Sequence, residues 1–574
     1  MTRSTGGTGA RVRRAIGLLL VVALALAGCG ETPTLPFLPT PEPTPEQPRP
    51  VEISVVATVG GGPIADAEVS FDGRTVLTQD DGTVTLEALT GDAIEAAAPG
   101  HDPGRGEVPR EGDVSIELRP NVASGTVTDP AGAPILGARV FVDGATTAAV
   151  TDDQGRYELP GVPEEATLIV KMPGYRLAEV EVTGDSSLAI DVALEPFEVR
   201  ALYAPAAVFE GVGRLDELLA VIEATEVNAM VIDVKEVDGR LYYATDLPAA
   251  GEVGAIRETP VFDLAELLPM LEERGIYTIA RMVVMKDNTL AAARPELAVR
   301  NTSTGEAWRD NIGGAWLDPS APGVAEYIAA VAADIADHGF DEVQLDYIRW
   351  YSDGPFGVAE TNLPNTQSVR LPAIRRVMRT VSAAFETRRA FLAADVFPIA
   401  FIVPDDQGIG QRPEVMMPYV DYFCPMVYPS HYGPGVFGHP VPNEAPYDVI
   451  DKTLEIMNGQ AEGLPLVIRP WIQDFGYGSF RAYTAGDIHA EMQALADNGA
   501  GGWMIWNASA RFTIAALAPP REGEDTGPTR LTAPPAEADA SASPASSAVP
   551  SASDAPGGSG SASPAESASP SASP

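Results

Sequence analysis

The sequence predicts a multidomain chain: two small all-β sandwiches, then an α/β (β/α)8 TIM barrel, with a disordered Pro-rich linker and tail at its ends. Three observations carry this. A motif recurs after about 70 residues in the first third, eight apolar runs alternate with amphipathic stretches in the middle, and both ends are rich in Pro, Ser or Ala. At 574 residues the chain is too long for one ordinary domain.

Residues 1–28 read as a lipoprotein signal peptide. Arg3, Arg11, Arg13 and Arg14 precede AIGLLLVVALALAG, which is shorter than the roughly 20 apolar residues of a spanning helix. The run closes on Leu26-Ala27-Gly28-Cys29, which resembles the bacterial lipoprotein signal and makes Cys29 the expected lipidation site. Residues 29–50 form a Pro-rich tether, extended and semi-rigid. The second of the two cysteines, Cys424, lies in an apolar run and reads as a buried apolar residue, so there is no disulfide framework.

Residues 51–120 and 121–197 carry the repeat. GGPIADAEVSFDG at Gly61 matches GAPILGARVFVDG at Gly132, and TQDDGTVTLEAL at Thr78 matches TDDQGRYELPGV at Thr151. Short alternating strands broken by Asp-Gly turns predict a small β-sandwich in each copy. The order P-x-x-x-A-x-V, then T-x-D-x-G, then P-G-[HY] resembles carboxypeptidase regulatory-like domains, which implies spacer or weak binding modules. Neither copy offers a catalytic constellation.

Residues 198–518 are the barrel. Eight strands are expected at RALYAP, NAMVIDVK, IYTIARMVV, EVQLDYI, AFLAADVF, DYFCPMVY, LPLVIRPWI and GGWMIWN. Helices fit between them around 215–224, 264–274, 323–337, 371–388, 448–458 and 485–497. An open doubly wound sheet is the competing arrangement, but no glycine-rich phosphate loop follows an early strand. Residues 519–574, Ala/Ser/Pro repeats with scattered acids, cannot bury a core and are expected to be disordered.

In a barrel the site lies at the C-terminal strand ends, and side chains alternate between lumen and helix layer. The fourth strand puts Val343 and Leu345 on one face and Gln344 and Asp346 on the other, so Asp346 points into the mouth. In the same phase the second strand ends Asp233-Val-Lys235, the third brings Arg281 and the fifth ends at Asp395. The sixth ends at Tyr428, the seventh carries Arg469, Trp471 and Gln473, and the eighth ends Trp506-Asn507. One aspartate at a strand end is usually a turn former or cap, and Asp318 in WLDPSAPGVAEYI reads as a helix cap. Charges at nearly every strand end are different, because burying each costs several kcal/mol unless it is paired.

The barrel segment resembles a bacterial glycoside hydrolase-like family with a TIM-barrel domain formerly of unknown function. VIDVKEVDGRLYY, WLDPS, GFDEVQLDYIRW, AADVF, PMVYPSHY and RPWIQDF carry the match. The resemblance implies Asp346 as nucleophile and Asp395 as general acid/base, with Asp233 and Asp474 as alternatives to Asp395. It also implies Arg281 and Arg349 beside the nucleophile, with Lys235 and Arg469 among the substrate-binding residues and Trp350, Tyr428, Trp471 and Trp506 stacking on sugar rings. The α-amylase pattern is departed from: Gln344 stands where an Arg would precede the nucleophile, and the fifth strand offers Asp rather than Glu.

The expected function is therefore an extracytoplasmic glycoside hydrolase acting on a polysaccharide, held to the bacterial cell membrane by its N-terminal lipid. The alternative is a non-catalytic cell-surface glycan-binding or scaffold protein using the same groove. A formal charge of −42 argues against nucleic acid and against a basic lipid-binding patch. Five His without an H-x-H or H-E-x-x-H give no metal-site signal, though calcium on clustered carboxylates is left open. No cofactor is expected, and the chain is expected to act as a monomer.

Overall fold

The structure, a computed structural model, describes residues 46–184, 187–520 and 529–532. Cys29 and the signal segment lie outside the described residues. Among the described residues no helix is long and apolar enough to cross a membrane.

Both repeats fold as two-sheet β-sandwiches. In the first, Arg49–Ala57 pairs with Thr83–Ala88 and Val114–Leu118, and a four-stranded sheet containing Glu68–Phe71 covers it. Val51, Ile53, Val55, Val69, Ile94 and Ile116 fill the space between the sheets. The second has Val122–Thr128 in one sheet and Arg139–Val142, Ala166–Lys171 and Ala178–Val182 in the other.

The repeated T-x-D-x-G has one physical job in both copies. Thr78 Oγ1 accepts from Ala67 N at 2.9 Å and donates to Ile64 O at 2.7 Å; Thr151 Oγ1 accepts from Ala138 N at 2.9 Å and donates to Ile135 O at 2.6 Å. The glycine four residues on, Gly82 or Gly155, has φ +72°. A Cβ there would fall 2.8 Å from Val55 O in the first copy and 2.4 Å from Val127 O in the second, so only glycine fits.

The tail departs from expectation at one point: Thr529–Thr532 adds a strand parallel to Ala178–Val182.

The second sandwich docks on the N-terminal end of the barrel. Lys171, fully buried, donates from Nζ to Phe385 O at 3.3 Å, Arg388 O at 2.7 Å and Ala390 O at 2.7 Å. Arg139 pairs with Asp421, and Arg389 pairs with Glu179 at 2.5 Å and Asp143 at 3.0 Å. Lys171→Met leaves three carbonyls without this donor and is expected to cost roughly 1–3 kcal/mol. Thermal unfolding of the full chain checks this, and an unchanged Tm contradicts the role.

The barrel strands are Val199–Ala204, Ala229–Lys235, Tyr277–Val283, Glu342–Asp346, Phe391–Val396, Tyr422–Pro425, a divided seventh strand and Gly502–Trp506, all parallel. The seventh strand is one run in the sequence but two in the fold. Val467–Ile468 pairs with the sixth strand, and after Arg469-Pro470 Trp471–Gln473 pairs with the eighth. Proline has no N–H for a ladder, so the run breaks there while still closing the barrel. Helices 214–223, 264–272, 324–337, 367–383, 446–461 and 485–497 form the outer layer. Alternation sends Leu202, Ile232, Val343, Leu345 and Phe423 outward to those helices, while Ala201, Val231, Ile279, Ala393, Cys424 and Met504 fill the lumen.

A charged layer lies low in the lumen. Arg469 pairs with Glu342, its guanidinium 4.3 Å from the centre of the Tyr422 ring, and Tyr277 donates to Glu342 at 3.3 Å. Arg469, expected at the mouth, is thus an internal ion-pair member: the phase is right, but its strand position sets it too deep.

Candidate active site

At the C-terminal ends of the strands a cavity of about 370 Å³ opens, lined by Arg281, Asp346, Asp395, Tyr428, Trp471 and Trp506 with several loop residues. A larger cavity of about 760 Å³ lies at the opposite end, between the second sandwich and the barrel. In this fold chemistry sits at the C-terminal face, and the larger space belongs to the inter-domain joint.

Arg281 organises the site. Its Nε and Nη2 donate to Asp346 Oδ2 at 3.1 and 2.5 Å, and its Nη1 donates to Asp233 and Glu236, each at 2.6 Å. The register shifts between Asp233 and Lys235, an irregularity of the kind that re-aims side chains beside active sites. Tyr203 donates to Asp233 and stacks on Trp506, their ring centres 4.1 Å apart, and the Trp506 ring lies 5.2 Å from the Arg281 guanidinium. The other oxygen of Asp346 accepts from Tyr347 N at 2.6 Å. Tyr347 is held at φ +54°, a left-handed conformation costly for a non-glycine residue and typical of functional sites.

Asp395 occupies a different environment. It is buried, and its Oδ1 accepts from Trp471 Nε1 at 2.7 Å. Burial, reinforced by the negative charge of Asp346, pushes its carboxyl well above the usual range, against the pull of Arg281 and the Trp471 hydrogen bond. Leu345 pairs with Ala394, so Asp346 and Asp395 are the next residues on adjacent strands, which run about 4.8 Å apart. One carboxylate is ion-paired and its neighbour is pressed to keep its proton, an arrangement that separates nucleophile from acid.

The other sequence-expected residues divide. Arg349, Tyr428, Trp471 and Trp506 line the cavity with Arg281. Asp233 is buried behind it, and burial raises its carboxyl above the usual range, so it supports Arg281 rather than lining the cavity. Lys235 is also displaced from expectation: its Nζ donates to Val283 O at 2.7 Å and pairs with buried Asp287 at 2.9 Å. Trp350 is fully buried in the outer core, so it offers no stacking face. Asp474 accepts from Thr513 N at 2.6 Å and Thr513 Oγ1 at 2.7 Å, fastening the loop after the eighth strand. Asp318 is a loop latch instead of a helix cap, accepting from Ser320 N at 2.8 Å and Asn362 N at 2.6 Å. The following helix is capped at Gly323 through Glu326.

Some site residues escaped sequence reasoning. Glu236 is the third carboxylate on Arg281, and its signal was its place just past the second strand end. Tyr347, Phe397, Met426 and Tyr432 also line the wall. From Tyr428 a chain of rings leads outward: His431 at 5.4 Å, Tyr477 at 4.7 Å from His431, and Phe480 at 6.4 Å from Tyr477. Tyr477 and Phe480 are 49% and 39% exposed. Burial lowers the His431 pKa below its ordinary value. Among the described residues no group of three or more His, Cys, Asp or Glu side chains is arranged to hold a metal ion. Cys424 is a buried lumen residue whose thiol burial pushes well above its ordinary range, which removes it as a nucleophile.

Residues 201–512 match the family described as "Putative glycosyl hydrolase domain", and residues 122–195 match the carboxypeptidase regulatory-like domain. No curated protein matches the sequence. Among solved structures, a hypothetical protein from Ruminiclostridium thermocellum ATCC 27405 is 30% identical, with 35% of this chain and 100% of that one covered and a TM-score of 0.31. The PgaB (BpsB) glycoside hydrolase domain from Bordetella bronchiseptica is 13% identical, covering 56% and 99%, with a TM-score of 0.41. The glycoside hydrolase domain of PelA from Pseudomonas aeruginosa is 14% identical, covering 55% and 96%, with a TM-score of 0.32.

Proposed function

Because the chain belongs to the glycosyl hydrolase domain family matched over residues 201–512, we propose that its barrel cleaves a polysaccharide by a two-carboxylate mechanism on the outer side of the bacterial membrane. The observation that carries the mechanism is the asymmetry between Asp346, ion-paired to Arg281, and Asp395, buried beside it with a raised pKa.

Asp395 donates its proton to the glycosidic oxygen as that bond breaks, and Asp346 attacks the anomeric carbon to form a glycosyl ester. The Asp395 carboxylate then takes a proton from water as the water attacks the same carbon, releasing Asp346. Trp471 orients Asp395 through its indole N–H, and Arg281 fixes the angle of Asp346. The exposed rings beyond His431 give a long glycan a surface to lie on outside the cavity.

Neighbouring positions on adjacent strands suit the roughly 5 Å carboxyl separation of retaining enzymes better than the about 6.5–9.5 Å of inverting ones. Proton NMR of the first-formed hemiacetal is expected to show the substrate's own anomeric configuration, and the opposite anomer contradicts Asp346 as nucleophile. Cys29→Ser is expected to move the protein from the membrane to the soluble fraction; unchanged membrane retention contradicts the lipid anchor.

A further inference from the structure

Three buried arginines in this barrel are hydrogen-bonded to carboxylates. Arg281 has three, Arg469 has Glu342, and Arg370 binds Asp406 through two bonds of 2.7 Å. Arg349, 5% exposed and in the cavity wall, has none within hydrogen-bond distance. Its Nη1 donates to Ser352, whose hydroxyl donates on to Asp353, and its Nε has no hydrogen-bond partner. The nearest carboxylate, Asp353, is 3.7 Å from Nη2 and 73% exposed, so water screens it. Asp346 favours the Arg349 cation through space, but its oxygens are hydrogen-bonded to Arg281 and Tyr347 N rather than to Arg349.

The guanidinium is held in place nonetheless. The rings of Trp316, Phe397 and Tyr347 lie 4.8, 4.9 and 5.1 Å from it. A rigid, buried cation whose counter-ion is 3.7 Å away and largely in water is under-compensated, and so attractive to an anion entering the cavity. Among the cations lining the space, Arg281 is already bonded to three carboxylates, which leaves Arg349 as the weakly paired one.

We infer that Arg349 receives an anionic substituent on the sugar bound in the cavity, so that the substrate is an acidic glycan. This rests on the glycosidase reading above and adds the substrate class. A carboxylate of a uronic acid matches the planar fork of the guanidinium; a phosphoryl group offers the same oxyanion chemistry. The net charge of −42 opposes the approach of a polyanion, but beyond a Debye length of about 8 Å that field is screened, so the local cation decides.

The test is binding, measured by calorimetry with the full chain carrying Asp346→Asn so that no substrate is consumed. The probes are uronate-containing oligosaccharides, the same oligosaccharides after chemical reduction of their carboxyls to alcohols, and phosphate-bearing glycan fragments. The expected result is at least about tenfold tighter binding of an anionic probe than of its neutral twin. Preference for the uronate or for the phosphate-bearing probe identifies which oxyanion is read. In the same background Arg349→Met removes the preference and Arg349→Lys keeps part of it. Equal affinity for acidic and neutral twins overturns the inference, as does a preference that survives Arg349→Met. The comparison of twins on the Arg349 chain needs no second variant and stands if Arg349→Met does not fold. Selective binding by a wild-type chain that cleaves neither twin sinks the hydrolase reading and leaves this inference intact.

Discussion

Replacing Asp346 with asparagine abolishes hydrolysis, with kcat/KM expected to fall on the order of ten-thousand-fold or more. The amide keeps the shape of the carboxylate but cannot form the glycosyl ester. It also removes one charge from a buried network, where breaking an isolated pair costs about 3–5 kcal/mol. Here Arg281 keeps Asp233 and Glu236, each at 2.6 Å, so the expected loss of stability is smaller. Kinetics and thermal unfolding on the same preparation separate the two effects. A folded variant with wild-type turnover contradicts the nucleophile.

Replacing Asp395 with asparagine is expected to lower turnover of natural glycans by about 10²–10⁴-fold, the range for loss of a positioned general acid. Substrates whose leaving groups need no protonation should lose far less in bond cleavage, because the acid then has little to do. The pH dependence carries a second signature. Asp395 must be protonated to act, so wild-type activity falls as pH rises through its raised pKa, and the variant should lose that limb. The stability contribution of this carboxyl also falls as pH rises. A carboxyl whose folded pKa lies above its unfolded value binds more protons in the native state, so its contribution is fully present below the unfolded value of about 3.9 and is lost as pH rises through the folded value. At neutral pH Asp395→Asn should therefore raise Tm while lowering activity. A lowered Tm, or an unchanged alkaline limb, contradicts the assignment.

Much of the fold was legible because it depends on period and local chemistry. The in-phase residues Gln344, Asp346 and Asp395 lie on the lumen side, since alternation along a strand fixes which face a side chain takes. The repeat was legible because Thr78 and Gly82, like Thr151 and Gly155, are set by one turn geometry. Depth was not legible. Arg469 shares the phase of the site residues yet lies below the site with Glu342, whereas Lys235 loses that phase at the register shift after Asp233 and pairs with Asp287. Alternation says nothing about how far along the barrel axis a residue lies, and that depends on the stagger between strands. Loop residues were harder still: Trp350 turned inward, and Glu236 and Tyr347 joined the site, through long-range packing with no periodic signal. The division of the seventh strand had a local sign, Pro470, but its consequence depended on which neighbours each half would meet.

The central claim is that this barrel cuts glycosidic bonds with Asp346 and Asp395. It is tested most directly by counting new reducing ends when the full chain is incubated with bacterial cell-wall and exopolysaccharide fractions, beside the Asp346→Asn and Asp395→Asn chains. The account predicts reducing ends that accumulate with the wild-type chain and stay at background with both variants. Glycan binding without new ends in the wild type, or equal release by all three, would contradict it.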